Sequence, residues 1–444
     1  MKYYVFSVAL MGTPFLAFLL CVNFRWVKYV FWVMVAAMCL YQATSINFFS
    51  HEDYPGSARG MEVSLIHLLA FAILLAFLMR GKIRRLFPDA GYRLYFIYFL
   101  LCLPSVGFAA DKLIAWFEVW KMIVLFIFYF MVYTYLKATD DVSSVLMSLA
   151  MFTMFNFIVV ARQHYGGIYQ PAGVFPHRNC MGMAMLLFGP LFYAYYLTRR
   201  LKTKTDKFCA AVFPVAAVAT FWSYSRGSIA MVPIAYGITT LACCLDGKGL
   251  GGKVKKLLPL VILANIGIMI MMPRLVSRFE NAPDASANTR VELAHCAWEM
   301  IKENPLCGVG INNWSINMGP EYPYQDRAGD ALGVKLTYNG IVETVYLLIW
   351  AECGIFALLG FIVWLLWYWF VCLRLLRRLR GTKWFFVVAG LLGGFTANYL
   401  QSALEWVLRQ QLNLICLMFM FALVSYLNTS WRKLAEDKEM GADT

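Results

Sequence analysis

The sequence predicts an all-α polytopic membrane protein of about 12–13 transmembrane helices, with one large periplasmic loop that contains an amphipathic helix. Of its 444 residues, 61% are hydrophobic and only 14% are charged, whereas a soluble domain carries about a quarter charged residues. The mean hydropathy is +0.63, and apolar runs long enough to cross a bilayer, about 20 residues, recur along the chain. These observations exclude a soluble globular protein.

The apolar runs follow one another from the first residues to the last helix. If all of them cross the bilayer, the N-terminus lies outside the cytoplasm. Twelve spans follow instead if the first run is re-entrant or if two short runs merge. The runs span residues 3–22, 27–45, 62–79, 91–109, 114–136, 143–161, 179–198, 208–223, 228–245, 257–272, 342–372, 384–403 and 412–428.

Short basic loops between the runs predict the orientation. Lys and Arg concentrate at residues 80–85, 199–207, 248–256 and 374–383, and such loops belong on the cytoplasmic side. The C-terminus is then cytoplasmic, and the large loop is periplasmic. The same distribution explains the net charge of +14 without nucleic acid, so we expect no nucleic-acid partner.

The expected domain organisation follows from these runs. Residues 1–272 form the first ten transmembrane helices, 273–341 the periplasmic loop domain, 342–428 the C-terminal transmembrane helices and 429–444 a cytoplasmic tail. In the loop, the sequence TRVE at 289–292 fits a capping box, which predicts a helix from Arg290 to about Glu303, before Pro305. Val291, Ala294, Ala297, Trp298 and Ile301 give this helix one apolar face.

Two arginines are candidates for binding an anion. Arg290 would be the first residue of the loop helix, where unpaired amides and the helix dipole favour negative charge. The alternative is an exposed arginine that pairs with Glu292 or a lipid phosphate. Arg226 lies in a short hinge between two apolar runs, where a guanidinium is costly unless it faces a cavity and a partner. The alternative there is an arginine that snorkels to lipid headgroups.

Two further groups are candidates for substrate binding on the same side of the membrane. His177, Arg178 and Asn179 cluster where an apolar run begins, although Asn179 could simply cap that helix. Arg59 lies with Glu62 at the outer end of the third run, where an interhelical ion pair is the simpler explanation.

Glu343 lies at the outer end of the long run 342–372 and is the candidate catalytic residue. A carboxylate near an aromatic-lined entrance can serve as a general base when desolvation strengthens its affinity for a proton. The alternatives are a ligand for sugar hydroxyls and an ion-pair partner. The sequence contains no P-loop, GxSxG, HExxH or paired CxxC motif, so we expect no cofactor and no metal.

Four segments in this order resemble the O-antigen ligase and polysaccharide polymerase superfamily. They are PHRN at 176–179, SYSRG at 223–227, TR at 289–290 with WEMIKENPLCGVGI at 298–311, and ETVYLLIWAECGI at 343–355. The members are bacterial inner-membrane glycosyltransferases of the metal-independent GT-C type. The resemblance implies an inverting transfer from an undecaprenyl-diphosphate-linked glycan, with the diphosphate held by Arg226 and Arg290.

The resemblance departs from the ligases on the acceptor side. Ligases carry a histidine at the start of the helix after the loop, with Asn, Ser or Gln beside it and GxxG later. Here these positions hold Glu343, Thr344, and Gly354 with Ala357. Either Glu343 replaces the histidine as base, or the chain is a polymerase-type relative, or it has lost transfer activity.

The sequence thus predicts a glycosyltransferase of the bacterial inner membrane that acts at the periplasmic face. Its expected partners are the lipid-linked glycan donor, a glycan or lipid A–core acceptor, the lipid bilayer and other polysaccharide-assembly proteins. Two other classes remain open: a flippase or transporter of lipid-linked oligosaccharides, and an inactive assembly scaffold. A transporter would carry internal repeats and charges near mid-membrane, whereas the candidates here collect on one predicted face.

Overall fold

A computed structural model of the protein describes residues 2–83, 89–247, 249–280, 284–336 and 340–436. Parts of two basic loops, residues 84–88 and 248, lie outside the described residues, as do residues 437–444 of the predicted tail.

The described residues are almost entirely helical. Two 3-10 turns, Met38–Leu40 and Val407–Arg409, complete the helical structure. The helices are α1 (Lys2–Val22), α2 (Trp26–Ala37), α3 (Tyr41–Thr44), α4 (Leu65–Met79), α5 (Ala90–Cys102), α6 (Pro104–Phe108), α7 (Lys112–Thr139), α8 (Val142–Tyr165), α9 (Arg178–Thr198), α10 (Lys204–Trp222), α11 (Arg226–Cys243), α12 (Leu250–Glu280), α13 (Asp284–Glu303), α14 (Trp314–Asn317), α15 (Tyr324–Leu332), α16 (Val345–Arg378), α17 (Phe385–Gln401) and α18 (Gln411–Glu436).

Seven helical segments in the described part of the chain are long and apolar enough to cross a membrane. This confirms an all-α polytopic membrane protein; the total of 12–13 spans and the side on which each loop lies stay predictions. Three shorter apolar helices occur at Phe6–Val22, Leu65–Met79 and Phe385–Gln401. The seven are Trp26–Thr44, Ala90–Phe108, Lys112–Thr139, Val142–Tyr165, Arg178–Thr198, Val345–Arg378 and Gln411–Glu436.

One small β-hairpin interrupts the helical pattern within the described residues. Strand β1 (Ile46–Phe48) pairs antiparallel with β2 (Met61–Val63), and Asn47 lies opposite Glu62. The hairpin closes the segment that carries Arg59, so this loop is held at both ends by backbone hydrogen bonds.

The chain divides into two compact units. Unit 1 contains residues 1–148, 285–367 and 402–425, and unit 2 contains residues 149–284, 368–401 and 426–444. In unit 2, α17 packs closely on α9 and α11 through small residues: a Cβ at Gly390 would overlap Leu191, and one at Gly393 would overlap the carbonyl of Ala235. Small residues at such positions let membrane helices approach closely.

In unit 1, the polar loop has its own hydrophobic core, which we call the loop core. It joins α13 to the segment 309–328 and to the first turns of α16. Its buried members are Leu293, Cys296, Ala297, Met300, Ile301, Val309, Trp314, Met318, Tyr324, Ala328, Ile341, Val342, Leu348 and Ala351.

The loop helix α13 ends at Glu303, as predicted, but begins at Asp284 rather than at Arg290. Alanines have the highest helix propensity, and Ala285 and Ala287 allow the helix to continue upstream of the expected cap. Arg290 therefore lies inside the helix, and the argument from a helix N-terminus does not apply to it.

The predicted apolar face of α13 is also partly wrong. Val291 and Trp298 are 52% and 44% exposed, whereas the buried face is formed by Leu293, Cys296, Ala297, Met300 and Ile301. These five follow the spacing i, i+3, i+4, i+7, i+8 of one helical face. The predicted face lies beside the buried face, and apolar residues occur on both faces of α13, so the sequence alone did not distinguish them.

Helix α16 is broken at Gly354, whose φ of 82° and ψ of 174° are not helical. The break frees backbone groups that the loop then satisfies: Val309 donates its N–H to the carbonyl of Ala351 at 2.9 Å, and Gly310 donates to that of Glu352 at 3.0 Å. In return, Ile355 donates to the carbonyl of Pro305 at 3.0 Å. Non-helical backbone within a predicted span is tolerated where protein covers it in this way.

Candidate active site

Arg290 contacts two carboxylates from distant parts of the sequence, all within unit 1. Its Nε donates to Oε2 of Glu343, and its Nη2 lies 3.5 Å from Oε1 of Glu405. We call Arg290, Glu343 and Glu405 the mouth cluster. The structure therefore brings together the arginine predicted for the donor and the glutamate predicted for the acceptor, and it adds a second glutamate.

Three segments position the mouth cluster. Arg290 lies on α13, Glu343 lies two residues before the start of α16, and Glu405 lies in the turn between α17 and α18. The last two segments are joined by a 3.1 Å hydrogen bond from the N–H of Val345 to the carbonyl of Ser402. This backbone link holds the two segments that carry the carboxylates next to each other.

The members of the mouth cluster differ in their exposure. The side chains of Arg290 and Glu343 are 37% and 34% exposed, while that of Glu405 is 9% exposed. With both carboxylates ionised, one positive and two negative charges give the cluster a net charge of −1. Arg290 and Glu343 can thus reach a ligand, whereas Glu405 lies behind them.

Four more charged side chains form a second cluster deep in unit 1, which we call the buried quartet. Arg409 donates from Nη2 to Glu352, and its Nη1 lies 3.5 Å from Glu118. Lys121 pairs with Glu118 and donates to the carbonyl of Arg409 at 2.8 Å. All four residues are less than 5% exposed, and their charges sum to zero. A buried charge is tolerated only when it is paired in this way.

Glu405 and Arg409 are four residues apart, a spacing at which side chains pair across one turn of a helix. They lie in a turn and a short 3-10 segment instead, and they contact different clusters. The sequence does contain a signal for the buried quartet, because the ionisable residues Glu118, Lys121 and Glu352 lie inside apolar runs. Ionisable residues within such runs are expensive and usually have a named partner or a function.

Asn312 and Asn313 fasten the loop to the rest of unit 1. The side-chain oxygen of Asn312 accepts from Ser57 Oγ at 3.0 Å and from the N–H of Ala58 at 3.1 Å, and its amide donates to the carbonyls of Ala58 and Ile114. Its backbone is left-handed, with φ of 58°, a conformation that Asn adopts more readily than most residues.

Arg59 follows Ala58 in the sequence, but its side chain is not among the hydrogen-bond partners of Asn312. Its residue is exposed, and no described residue forms an ion pair with it. Its backbone carbonyl accepts from the N–H of His51 at 2.8 Å. The expected alternative, an ion pair with Glu62, is therefore absent from the described ion pairs, and a role for Arg59 in substrate binding stays a prediction.

Arg226 lies in unit 2 as the first residue of α11. Ser225 caps the helix by accepting from the N–H of Ser228 at 3.4 Å, and Ser228 receives a 2.8 Å hydrogen bond from Gln401. Tyr224 just before is buried with φ of 50°. Arg226 is half-buried at a helix N-terminus, a position that favours anions.

His177, Arg178 and Asn179 also lie in unit 2, at the start of α9. His177 is the N-cap: its Nδ1 accepts from the N–H of Asn179 at 3.3 Å. Asn179 is thus the second helical residue and not the cap that the sequence suggested as an alternative. Partial burial and the charge of Arg178 lower the pKa of His177, so its imidazole is neutral near pH 7.

Residues 210–362 match the family model of the O-antigen ligase domain. This match supports the resemblance of the chain to the O-antigen ligase and polysaccharide polymerase superfamily. None of the curated proteins matches it.

The O-antigen ligase domain contains Arg226, Arg290, Glu343 and Glu352. It does not contain Glu405 or Arg409, which complete the two charged clusters of unit 1, or the group at 177–179. Within the described residues, no three or more His, Cys, Asp or Glu side chains are grouped so that they could hold a metal ion.

Proposed function

We propose that this ligase-family membrane protein transfers a glycan from an undecaprenyl-diphosphate carrier to a sugar hydroxyl at the periplasmic face of the inner membrane. The observation that carries the proposal is the contact of Arg290 with Glu343. The pair combines a planar cation suited to phosphate oxygens with a carboxylate able to accept a proton, and both side chains are partly exposed.

In this reaction the acceptor oxygen attacks the anomeric carbon of the donor sugar from the face opposite the diphosphate. The bond from that carbon to the diphosphate oxygen breaks, and its electron pair leaves with the diphosphate. Glu343 receives the proton of the acceptor hydroxyl. Arg290 stabilises the negative charge that develops on the leaving group, which is the most effective use of a fixed cation.

Arg226 supports the same chemistry on separate grounds. It begins a helix, is half-buried and lies within the family domain. A half-buried guanidinium at a helix N-terminus is suited to bind phosphate oxygens. These features and the resemblance support a role for Arg226 in binding phosphate, and Arg59, His177, Arg178 and Asn179 remain candidates for further substrate contacts.

The test is transfer by the purified full-length protein from lipid-linked repeat units. We expect Arg290→Ala to lower kcat/KM by about 10²–10³, and Glu343→Gln to lower kcat by about 10²–10⁴. Arg327→Ala and Glu321→Gln are matched controls, because they remove the same charges from exposed positions of the same loop. Full activity in Glu343→Gln rejects Glu343 as the general base. Wild-type activity in Arg290→Ala rejects the role of Arg290 toward the diphosphate, and wild-type activity in Arg226→Ala rejects the role of Arg226.

The same assay separates the family's two activities. Longer lipid-linked chains without a second acceptor indicate a polymerase, whereas transfer only when lipid A–core is supplied indicates a ligase. The replacement of the ligase histidine by Glu343 favours the polymerase. Movement of the lipid across vesicles without transfer would support a transporter, and neither activity would support a scaffold.

A further inference from the structure

Glu405 is the member of the mouth cluster that the sequence did not single out as functional. It lies 3.5 Å from Nη2 of Arg290 and is 9% exposed, against 34% for Glu343. A ligand that approaches from the open side therefore meets Arg290 and Glu343 before it reaches Glu405.

The segment around Glu405 is anchored on both sides. Before it, the carbonyl of Ser402 accepts from the N–H of Val345. After it, Trp406 packs against the loop core, and Arg409 is held in the buried quartet. Glu405 is thus carried by a short, fixed turn, which is the support that a positioning group requires.

The two carboxylates occupy one edge of the guanidinium. Glu343 is bound at Nε and Glu405 at Nη2, while no described residue forms an ion pair through Nη1 of Arg290. A guanidinium offers its donors in a planar fork. The edge formed by Nη1 and Nη2 has the geometry that binds a phosphate in a bidentate manner.

We infer that Glu405 is a positioning residue that aims Arg290 at the diphosphate and sets the charge of the mouth cluster during transfer. This rests on the proposed function, in which Arg290 binds the donor diphosphate. Before transfer the cluster carries one positive and two negative charges. When Glu343 takes the acceptor proton the net charge becomes zero, at the moment when the diphosphate leaves with its additional negative charge.

Glu405 continues to hold Arg290 when the contact between Arg290 and Glu343 weakens. Removing its charge should have two opposite effects. The anionic donor binds more tightly, because one like charge near it is gone. Glu343 then becomes the sole counter-ion of Arg290, so its contact with Arg290 is harder to break. Transfer of the acceptor proton to Glu343 therefore slows.

Glu405→Gln is therefore expected to lower the donor KM about threefold to tenfold and to lower kcat about tenfold. Glu405→Asp keeps the negative charge, but its shorter side chain places that charge farther from Arg290. We therefore expect a wild-type donor KM with a reduced kcat. Glu321→Gln, which removes an exposed charge from the same loop, should change neither. A purely structural role would lower the amount of folded protein and leave both constants of the remaining protein unchanged.

A binding measurement separates this inference from the proposed function. Undecaprenyl diphosphate without a sugar is titrated into the full-length protein in detergent, with folding checked by thermal unfolding. Tighter binding to Glu405→Gln and weaker binding to Arg290→Ala support the inference, even if no transfer is found and the proposed function fails. Equal binding by wild type and a folded Glu405→Gln, with unchanged kcat, overturns it.

Discussion

Arg409 donates a hydrogen bond to Glu352 inside unit 1, although the two residues are 57 positions apart. The contact lies at the break of α16, where Oε1 of the same glutamate accepts from the N–H of Trp314 at 3.3 Å. One carboxylate thus joins the turn before α18, the broken helix and the polar loop. The geometry of the mouth cluster depends on this joint, because Glu405 is on the same turn as Arg409.

Arg409→Met removes the cation and leaves Glu118 and Glu352 buried without it. We expect a loss of about 3–5 kcal/mol in the free energy of unfolding, the usual cost of breaking a buried ion pair. Unfolding of the purified protein in detergent measures it. Arg327→Met is the control: it breaks the exposed pair with Glu303 and should cost no more than about 1 kcal/mol.

The double variant Arg409→Met/Glu352→Gln tests the reason for that loss. It removes one charge of each sign, so we expect part of the stability to return relative to Arg409→Met. The double variant could instead be less stable than Arg409→Met by the full cost of a second lost contact. That result would show that charge balance is not the reason why the buried quartet is stabilising.

Gly354→Ala should disrupt the junction between α16 and the loop. The residue has φ of 82°, and a Cβ there would overlap the carbonyl of Leu306. Gly381→Ala is the matched control, since Gly381 also has a positive φ, 76°, but no atom stands near its Cβ position. The control should cost about 1–2 kcal/mol from backbone strain alone.

We expect Gly354→Ala to lose clearly more stability than the control and to lower transfer activity, because the break positions α16 behind Glu343. Thermal unfolding and the transfer assay on the same preparations measure both. Similar losses of stability in the two variants would mean that the loop moves aside for the new Cβ at position 354 without a cost in free energy.

The sequence predicted the helical class better than it predicted the contacts between side chains. Apolar runs are local and indicate membrane-spanning helices directly. Arg290 and Glu343 are candidates by residue type and position, and their roles stay predictions. Their contact was not predicted, because it depends on where α13 begins and on how the loop returns. The four-residue spacing of Glu405 and Arg409 suits a pair on one helix, but spacing alone cannot show that the chain forms a turn there.

Asn312→Gly and Asn312→Ala separate two contributions at the fastening of the loop. Both remove the four side-chain hydrogen bonds to Ser57, Ala58 and Ile114, which should cost about 2–5 kcal/mol together. Glycine accepts the left-handed backbone without strain, so the alanine variant should be less stable by about a further 1 kcal/mol. Equal unfolding free energies for the two would exclude backbone strain at this position.

Cysteine labelling tests the predicted orientation of the membrane protein. Cys307 lies half-buried in the large loop, and Cys244 is exposed at the end of α11 that the basic loops place in the cytoplasm. With single-cysteine variants in cells whose outer membrane is permeabilised, a maleimide that cannot cross the inner membrane should label Cys307 and spare Cys244. Burial, with a smaller effect of Glu292, raises the pKa of the Cys296 thiol to about 11, so Cys296 should stay unlabelled near pH 7 because its reactive thiolate is scarce. Labelling of Cys244 in place of Cys307 would invert the topology and put the mouth cluster in the cytoplasm, where the proposed reaction at the periplasmic face could not occur.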